Sequence, residues 1–286
     1  MLLSLRCLLV ATCLLFAGLA TAAKADDLLN ERVFKHYATL LASHLQEKTL
    51  ANDGLVSAFD YRAALDDSAT AALLEQQDAL LADVDLSQVE SREQAIAFWN
   101  NAYNYFMLQK ILTDLDGEQP VSSVWDYGGR FNPFRANVFE QALFTIGGEQ
   151  YSLNGIEKGI LLGADFEAKG WKEARVHFTV NCASVGCPPL RQMIYTAANI
   201  DAKLTENTRR AFNTPRHLRV DGDTLYLTEL FKWYEDDYVA ESGSVRAFIQ
   251  AYADPAVADK VAATTRIRYI DYDWTLNSPE HFSELR

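Results

Sequence analysis

The spacing of apolar residues predicts that the N-terminal third of the chain is mostly helical. Between residues 27 and 50 they recur at helical intervals, at Leu28, Val33, Tyr37, Leu40, Leu41 and Leu45. The Ala- and Leu-rich run at 68–84 predicts a second helix. Ser91, followed three residues later by Gln94, forms a capping-box pattern that opens a third helix, ending near Leu112.

The remainder of the chain predicts hairpins, each followed by a helix. Residues 142–153 form the first predicted hairpin, which turns at Gly147-Gly148 and precedes a helix from Asn154. Residues 218–227 form the second, which turns at Asp221-Gly222 and precedes a helix from Thr228.

Two further segments are predicted strands. Residues 175–181 alternate, so we expect Val176, Phe178 and Val180 on one face and Arg175, His177, Thr179 and Asn181 on the other. Residues 266–270 form the second strand. The predicted fold is α+β: a helical N-terminal part packed on a mixed or antiparallel sheet, in a single domain over residues 26–286.

The first 25 residues have the layout of a cleavable signal peptide. A short segment with one positive charge precedes an apolar run from Leu8 to Ala20, and Ala23-Lys24-Ala25 supplies a small-x-small cleavage pattern. The apolar run is shorter than the ~20 residues that a membrane-spanning helix needs. We therefore expect a protein that is exported, periplasmic or secreted, with no stable membrane insertion after cleavage.

Charge narrows the classes of partner. The formal net charge of −13 becomes −15 once Arg6 and Lys24 leave with the peptide. An acidic protein is repelled by nucleic acid and by anionic membranes, so we expect neither as a partner. The expected partner is a small molecule or a peptide.

Cleavage would leave only Cys182 and Cys187 of the four cysteines. Three interpretations compete for this pair in an oxidising compartment: a disulfide, a free reactive thiol at Cys182, or a zinc site, for which spacing and ligand count fall short. His177 is the candidate base for the thiol. Five extended residues of about 3.3 Å would separate the two by roughly 16 Å, so a direct pair requires the chain to turn back after Val180.

Three asparagines lie within the apolar helix at 98–104. Asn101 and Asn104 are three positions apart and can project together. They either bind neighbouring backbone and hold a loop against the helix, or line a site and orient a reacting group.

Two more helices carry polar residues with ordinary explanations. Glu157 stands three residues after Asn154, where an N-terminal cap accounts for it. In the helix from Thr228, Lys232 and Asp236 are spaced to pair across one turn. The sequence contains no Walker loop, dinucleotide fingerprint, zincin helix or nucleophile elbow, so we expect no cofactor and no metal.

Several of these motifs occur together in a defined order. They are Phe98-Trp99-x-Asn101-Ala102-Tyr103-Asn104, Leu153-Asn154-x-Ile156-Glu157, Arg175-x-His177-Phe178, Cys182-Ala183-Ser184-x-x-Cys187-Pro188-Pro189, Leu230-Phe231-Lys232-Trp233-Tyr234 and Tyr272-Asp273-Trp274-x-Leu276-Asn277. Over roughly residues 55–277 the chain resembles the family known as domain of unknown function 547. The resemblance implies a set of site residues without implying a reaction: Asn101, Asn104, Glu157, His177, Cys182, Cys187 and Lys232. Arg175 joins them as a possible supporting residue.

Three hypotheses about function follow. In the first, the protein is a thiol-dependent hydrolase or acyl transferase with Cys182 as nucleophile, a histidine as base and Asn101 or Asn104 as an orienting amide. In the second, it is a non-catalytic binding or scaffold domain with a structural disulfide. In the third, it is a disulfide oxidoreductase, although a C-x-x-C spacing is absent.

Overall fold

The computed structural model describes residues 28–128 and 136–286. The predicted signal peptide lies outside the described residues. The fold is α+β, as the sequence predicts.

The N-terminal part is helical and contains one hairpin. After helical residues 28–33, the elements are α1 (Lys35–His44), β1 (Leu45–Thr49), β2 (Leu55–Phe59), α2 (Tyr61–Asp66), α3 (Thr70–Ala82) and α4 (Arg92–Thr113). The prediction of helix up to Leu50 is wrong at its end, because β1 pairs antiparallel with β2. The predicted helix start at Ser91 is confirmed, since its hydroxyl accepts a hydrogen bond from the Gln94 amide at 3.1 Å.

The C-terminal part alternates hairpins with short helices. Its elements are β3 (Phe144–Ile146), β4 (Glu149–Tyr151), a π-helix (Gly155–Leu161), α5 (Ala164–Ala168), a 3₁₀-helix (Ala174–Phe178), α6 (Ile200–Phe212), β5 (Leu218–Asp221), β6 (Thr224–Thr228), α7 (Leu230–Trp233), α8 (Glu235–Ser242), α9 (Val245–Tyr252), α10 (Pro255–Ala262) and β7 (Arg266–Ile270). Both predicted hairpins and the last strand are confirmed.

The strands of the described residues are divided among three small sheets. The hairpins β1–β2 and β3–β4 each stand alone, whereas β6 pairs antiparallel with β5 and parallel with β7. The turn at Gly147-Gly148 has positive φ at both residues, which glycine adopts without steric cost.

The buried side chains form two large apolar cores. The first surrounds α4, which is buried on nearly all sides, as expected for a helix that is apolar around its whole circumference. The second lies between α6–α9 and the β5–β6 hairpin and is rich in aromatic rings, including Phe178, Phe212, Phe231 and Phe248. Within the described residues, no helix combines the length and apolarity needed to span a membrane.

Candidate functional site

The segment at 174–180 connects the two cores. The predicted strand over 175–181 is wrong: Ala174–Phe178 is a 3₁₀-helix. Val176 and Val180 pack in the first core, whereas Ala174 and Phe178 pack in the second. The alternation that suggested two faces of a strand therefore reflects two separate cores. Because the backbone is not extended here, the separation of roughly 16 Å expected for His177 and Cys182 in a strand does not apply.

His177 is held in position by an acidic residue from α8. Its Nε2 lies 2.9 Å from Oδ2 of Asp237, whose other oxygen accepts from Nζ of Lys172 at 2.9 Å. Burial acts to raise the pKa of Asp237, but the His177 and Lys172 contacts outweigh it and hold that pKa below its ordinary value. The Tyr234 ring stacks on the imidazole at 4.0 Å. His177 is 2% exposed, and its Nδ1 has no hydrogen-bond partner among the described residues.

Cys182 and Cys187 form a disulfide, the first of the three interpretations of the pair. The Tyr272 hydroxyl lies 3.2 Å from Sγ of Cys182 and donates to Sγ of Cys187 at 3.1 Å. Gly186 packs against the backbone of Asp273, where an added Cβ would come within 3.0 Å. The described residues contain no cluster of three metal-ligating side chains, so the zinc interpretation has no support there.

The asparagines of α4 hold the chain on both sides of this disulfide loop. The Asn104 amide donates to the Thr179 carbonyl at 2.9 Å and accepts from the Asn181 amide at 2.7 Å. The Asn101 side chain donates to the Tyr195 carbonyl at 2.7 Å and accepts from the Tyr195 backbone amide at 2.9 Å. Both side chains are buried. This geometry matches the interpretation in which the amides fix loops, and neither side chain lines the cavity described below.

Glu157 lies in the π-helix, a backbone form that is rare and frequent at functional sites. The predicted cap by Asn154 is wrong: its side chain makes no cap hydrogen bond, and the Ser152 hydroxyl accepts from the Gly155 amide instead. Glu157 is only 5% exposed and accepts from the Tyr234 hydroxyl at 2.8 Å.

Two more tyrosines lie close to the Glu157 carboxylate. Burial, followed by the nearby Glu157 charge, raises the pKa of Tyr103 well above its ordinary value. Burial raises the pKa of Tyr272 as well, and the Glu157 charge adds to that effect. The carboxylate therefore lies among phenols that stay protonated at neutral pH.

These groups share one open cavity of about 390 Å³. Its polar wall contains Glu157, His177, Cys182 and Cys187, and Lys158 and Glu140 are exposed residues among its lining. Its aromatic wall consists of Tyr103, Trp125, Phe139, Trp233, Tyr234, Tyr272 and Trp274. The cavity thus combines a few convergent polar groups with a largely apolar lining, which is typical of small-molecule sites.

Two more of the predicted site residues, in addition to Asn101 and Asn104, lie away from this cavity. Arg175 forms a bidentate pair with Glu173 and contacts Asp201, so it supports the fold beside α6. Lys232 is exposed and pairs with Glu229 at 3.2 Å. The predicted pairing of Lys232 with Asp236 is wrong, because α7 ends at Trp233 and interrupts the helical register.

Sequence reasoning missed Asp237 and underestimated two tyrosines. Asp237 belongs to an acidic run that looks like a solvated helix face, and no local pattern distinguishes it from its neighbours. Tyr234 and Tyr272 were only parts of motifs and were not singled out as site residues. A signal for both tyrosines existed in the ordered family motifs, which contain them.

The fold and the site define an α+β domain with an aromatic cavity closed on one side by a disulfide loop. Residues 86–211 match the family model described as protein of unknown function, DUF547, which supports the resemblance to that family, and the matched region contains Glu157, His177 and both cysteines. The matched region is narrower than the resemblance over 55–277 and ends before Asp237 and Tyr272. No curated protein and no solved structure matches the chain.

Proposed function

We propose that the protein is a thiol-dependent hydrolase or acyl transferase of an exported type, active when the Cys182–Cys187 bond is reduced. The observation that carries this proposal is the Asp237–His177 hydrogen bond: among the described residues it leaves Nδ1 unpaired, in a buried histidine that lines the same cavity as Cys182. A histidine fixed by a carboxylate at one nitrogen and open at the other is the arrangement that general bases use.

The reaction requires an external dithiol, or two molecules of a monothiol, to reduce the disulfide; the reductant is oxidised to its own disulfide and delivers two electrons and two protons to the two sulfurs. His177 then accepts the proton from Cys182, and the thiolate forms a bond to the acyl carbon. The leaving amine or alcohol departs with that proton. Water, or an acceptor amine in the transferase case, cleaves the acyl–sulfur bond and regenerates the thiol.

Export fits the same scheme. The N-terminal pattern supports removal of a leader, and a compartment where disulfides persist would keep the enzyme inactive until reductant arrives. Mass spectrometry of the protein recovered from the source cell's extracytoplasmic fraction tests this directly. We expect a mature chain that begins at Asp26, whereas an intact N-terminus in the cytoplasm would contradict export.

The thiol hypothesis is tested by the rate at which iodoacetamide alkylates Cys182 between pH 5 and 9. Cys187→Ser frees Cys182 without added reductant, and a second substitution is then made in that background. We expect alkylation at pH 6.5 to be at least about tenfold faster than that of a model thiol, and His177→Gln to abolish the advantage. Asp237→Asn, which changes a positioning residue, should shift the pH profile and leave the folded state intact.

A matched pair of variants controls for the loss of the disulfide. Cys187→Ser and Cys182→Ser break the same bond, but only the first keeps the proposed nucleophile. Turnover of p-nitrophenyl acetate should therefore survive in Cys187→Ser and vanish in Cys182→Ser. Equal turnover in both variants, or alkylation of Cys182 at the rate of a model thiol, would overturn the thiol mechanism.

The disulfide itself favours a second candidate, a ligand-binding domain in which the bond holds the cavity wall. The loop is already fixed by Asn104 and Tyr272, as such a scaffold requires. In this case the double variant Cys182→Ser/Cys187→Ser should complement a deletion of the gene as well as the wild type does. Failure of a stably folded double variant to complement would exclude this candidate.

A further inference from the structure

Glu157 is a buried acidic group without a basic partner. It is 5% exposed, the Tyr234 hydroxyl donates to it at 2.8 Å, and its charge acts on the neighbouring phenol of Tyr103. No Lys, Arg or His among residues 28–128 and 136–286 forms an ion pair with it; the neighbouring Lys158 is exposed and makes no such contact. A carboxylate removed from water is unfavourable unless an opposite charge and hydrogen bonds compensate it.

The cavity beside Glu157 is lined by a cluster of aromatic side chains. Trp233 packs on Tyr272 at 4.9 Å and on Trp274 at 5.8 Å, and the rings of Tyr272 and Trp274 lie 4.6 Å apart. Trp233 is 42% exposed although it belongs to this cluster. Aromatic faces carry negative electrostatic potential and attract cations, most strongly for Trp, and cages of such rings recognise ammonium groups.

The charge of the whole chain acts in the same direction. A formal net charge of −13 attracts cations and repels anions. An anionic ligand would moreover bring a second negative charge beside a buried carboxylate. A neutral ligand would leave that carboxylate without a counter-ion.

We propose that the cavity binds an alkylammonium group, with Glu157 as its counter-ion and the Trp233–Tyr272–Trp274 cluster as its aromatic wall. As an assignment of the substrate class, this inference rests on the proposed function; the binding itself needs neither a free thiol nor His177. The substrate of the enzyme would then carry a positively charged amine near the acyl group that Cys182 attacks.

The test uses two probes of equal shape and different charge, choline and its uncharged analogue 3,3-dimethyl-1-butanol. Binding to the oxidised full-length protein is followed by tryptophan fluorescence, because Trp233 and Trp274 belong to the wall. We expect choline to bind at least about tenfold more tightly than the alcohol. Equal affinity for the two probes, or binding of neither at 50 mM (roughly the weakest binding worth measuring), would overturn the inference.

Variants locate the charge that is responsible. Glu157→Gln keeps the size and hydrogen-bonding capacity of the side chain and should remove the preference for choline. Glu140→Gln, which neutralises an exposed carboxylate of the same lining, should leave affinity within about twofold. If Glu157→Gln does not fold, the comparison of the two probes on the wild type still decides the question. Retained preference in a folded Glu157→Gln protein would contradict the role of this carboxylate.

The result of the choline-binding experiment does not depend on whether Cys182 acts as a nucleophile. Choline binding by Cys182→Ser would support the cation site even if the alkylation experiments exclude a nucleophile. Fast alkylation of Cys182 with no choline binding would contradict the cation site and leave the thiol mechanism in place.

Discussion

Buried polar side chains in this protein are of two kinds, those whose polar atoms are all paired and those with an atom left open. Asn104 belongs to the first, since its carbonyl and amide are both used on backbone. His177 and His217 belong to the second, because Nδ1 of each has no hydrogen-bond partner in the described part of the chain. His177 lines a cavity of about 390 Å³, whereas His217 lines a space of only about 10 Å³. Only His177 therefore has room beside it for a ligand.

Asn104→Ala tests the role of a fully paired amide. It leaves the Thr179 carbonyl and the Asn181 amide without partners, and we expect the free energy of unfolding in urea to fall by about 2–4 kcal/mol. Since Asn181 precedes Cys182, reduction of the disulfide by dithiothreitol should also become faster.

Asn100→Ala is the matched control. Asn100 is equally buried, but it bonds to Ile96 of its own helix and to the Thr179 hydroxyl, not to the backbone of the loop. It should destabilise the protein without accelerating reduction. Similar reduction rates in the two variants would show that Asn104 does not hold the loop.

His217 makes stability depend on pH. Burial, aided by the nearby charge of Arg216, lowers its pKa to about 3. A histidine whose pKa falls on folding favours the neutral form in the native state, so stability is full above about pH 6.5 and declines as the pH falls toward 3. Between pH 7 and 4 we expect the wild type to lose about 3 kcal/mol more than His217→Leu does. Urea unfolding at a series of pH values measures this difference, and parallel pH profiles would contradict it.

At the scale of elements, one side chain of α3 replaces the hydrogen bonds of an interrupted helix. The helical residues 28–33 and α1 are separated at Phe34. Gln77 reaches into this break: it donates to the Val33 carbonyl at 2.7 Å and accepts from the Tyr37 amide at 2.9 Å. In an unbroken helix these two backbone groups would bond to each other. An inserted side chain is a known cause of a helix kink.

Gln77→Ala should therefore cost about 2–3 kcal/mol of unfolding free energy, because it leaves two buried backbone groups unpaired. The adjacent Gln76 is exposed on the same helix, so Gln76→Ala should change stability by less than about 0.5 kcal/mol. Amide hydrogen exchange at Tyr37 provides a local readout and should accelerate only in Gln77→Ala. Unchanged exchange would mean that the break is held by other contacts.

The elements that the sequence predicts well are those whose cause is local. The cap at Ser91 and the glycine turn at 147–148 act within a few residues, and both occur as expected. The strand prediction over 175–181 was wrong because the alternation there arises from packing in two separate cores. A short stretch of sequence does not show which core each residue joins. Glu157 was misread for the same reason, since its partner Tyr234 lies 77 positions away.

At the scale of the whole molecule, the cavity is assembled from parts of the chain that are remote in sequence. Glu157, His177 and Tyr272 come from a π-helix, a 3₁₀-helix and the stretch after β7. The ordered motifs in the sequence could indicate which residues belong to the cavity. The distances between those residues depend on how the two cores pack. The candidate residues in the cavity were therefore predictable as a set, and the pairing of His177 with Asp237 was not.

Reduction of the disulfide is the condition on which the proposed function depends, so the reduced protein must remain folded. The bond closes a loop of only a few residues, and chain entropy assigns such a short loop about 2 kcal/mol. Other contacts hold the same loop: the Asn181 side-chain amide donates to the Pro188 carbonyl at 2.7 Å, and the Val185 backbone amide donates to the Thr275 carbonyl at 2.8 Å. Neither contact depends on the sulfur–sulfur bond.

We therefore expect dithiothreitol to lower the free energy of unfolding by about 2 kcal/mol with an unchanged urea m-value. The double variant Cys182→Ser/Cys187→Ser should have the same stability with or without reductant, which separates loss of the bond from other effects of the reagent. A loss beyond about 5 kcal/mol, or a lower m-value, would mean that the bond organises more than its own loop. In that case the reduced protein could not act as the enzyme, and the disulfide would belong to the scaffold of a binding domain.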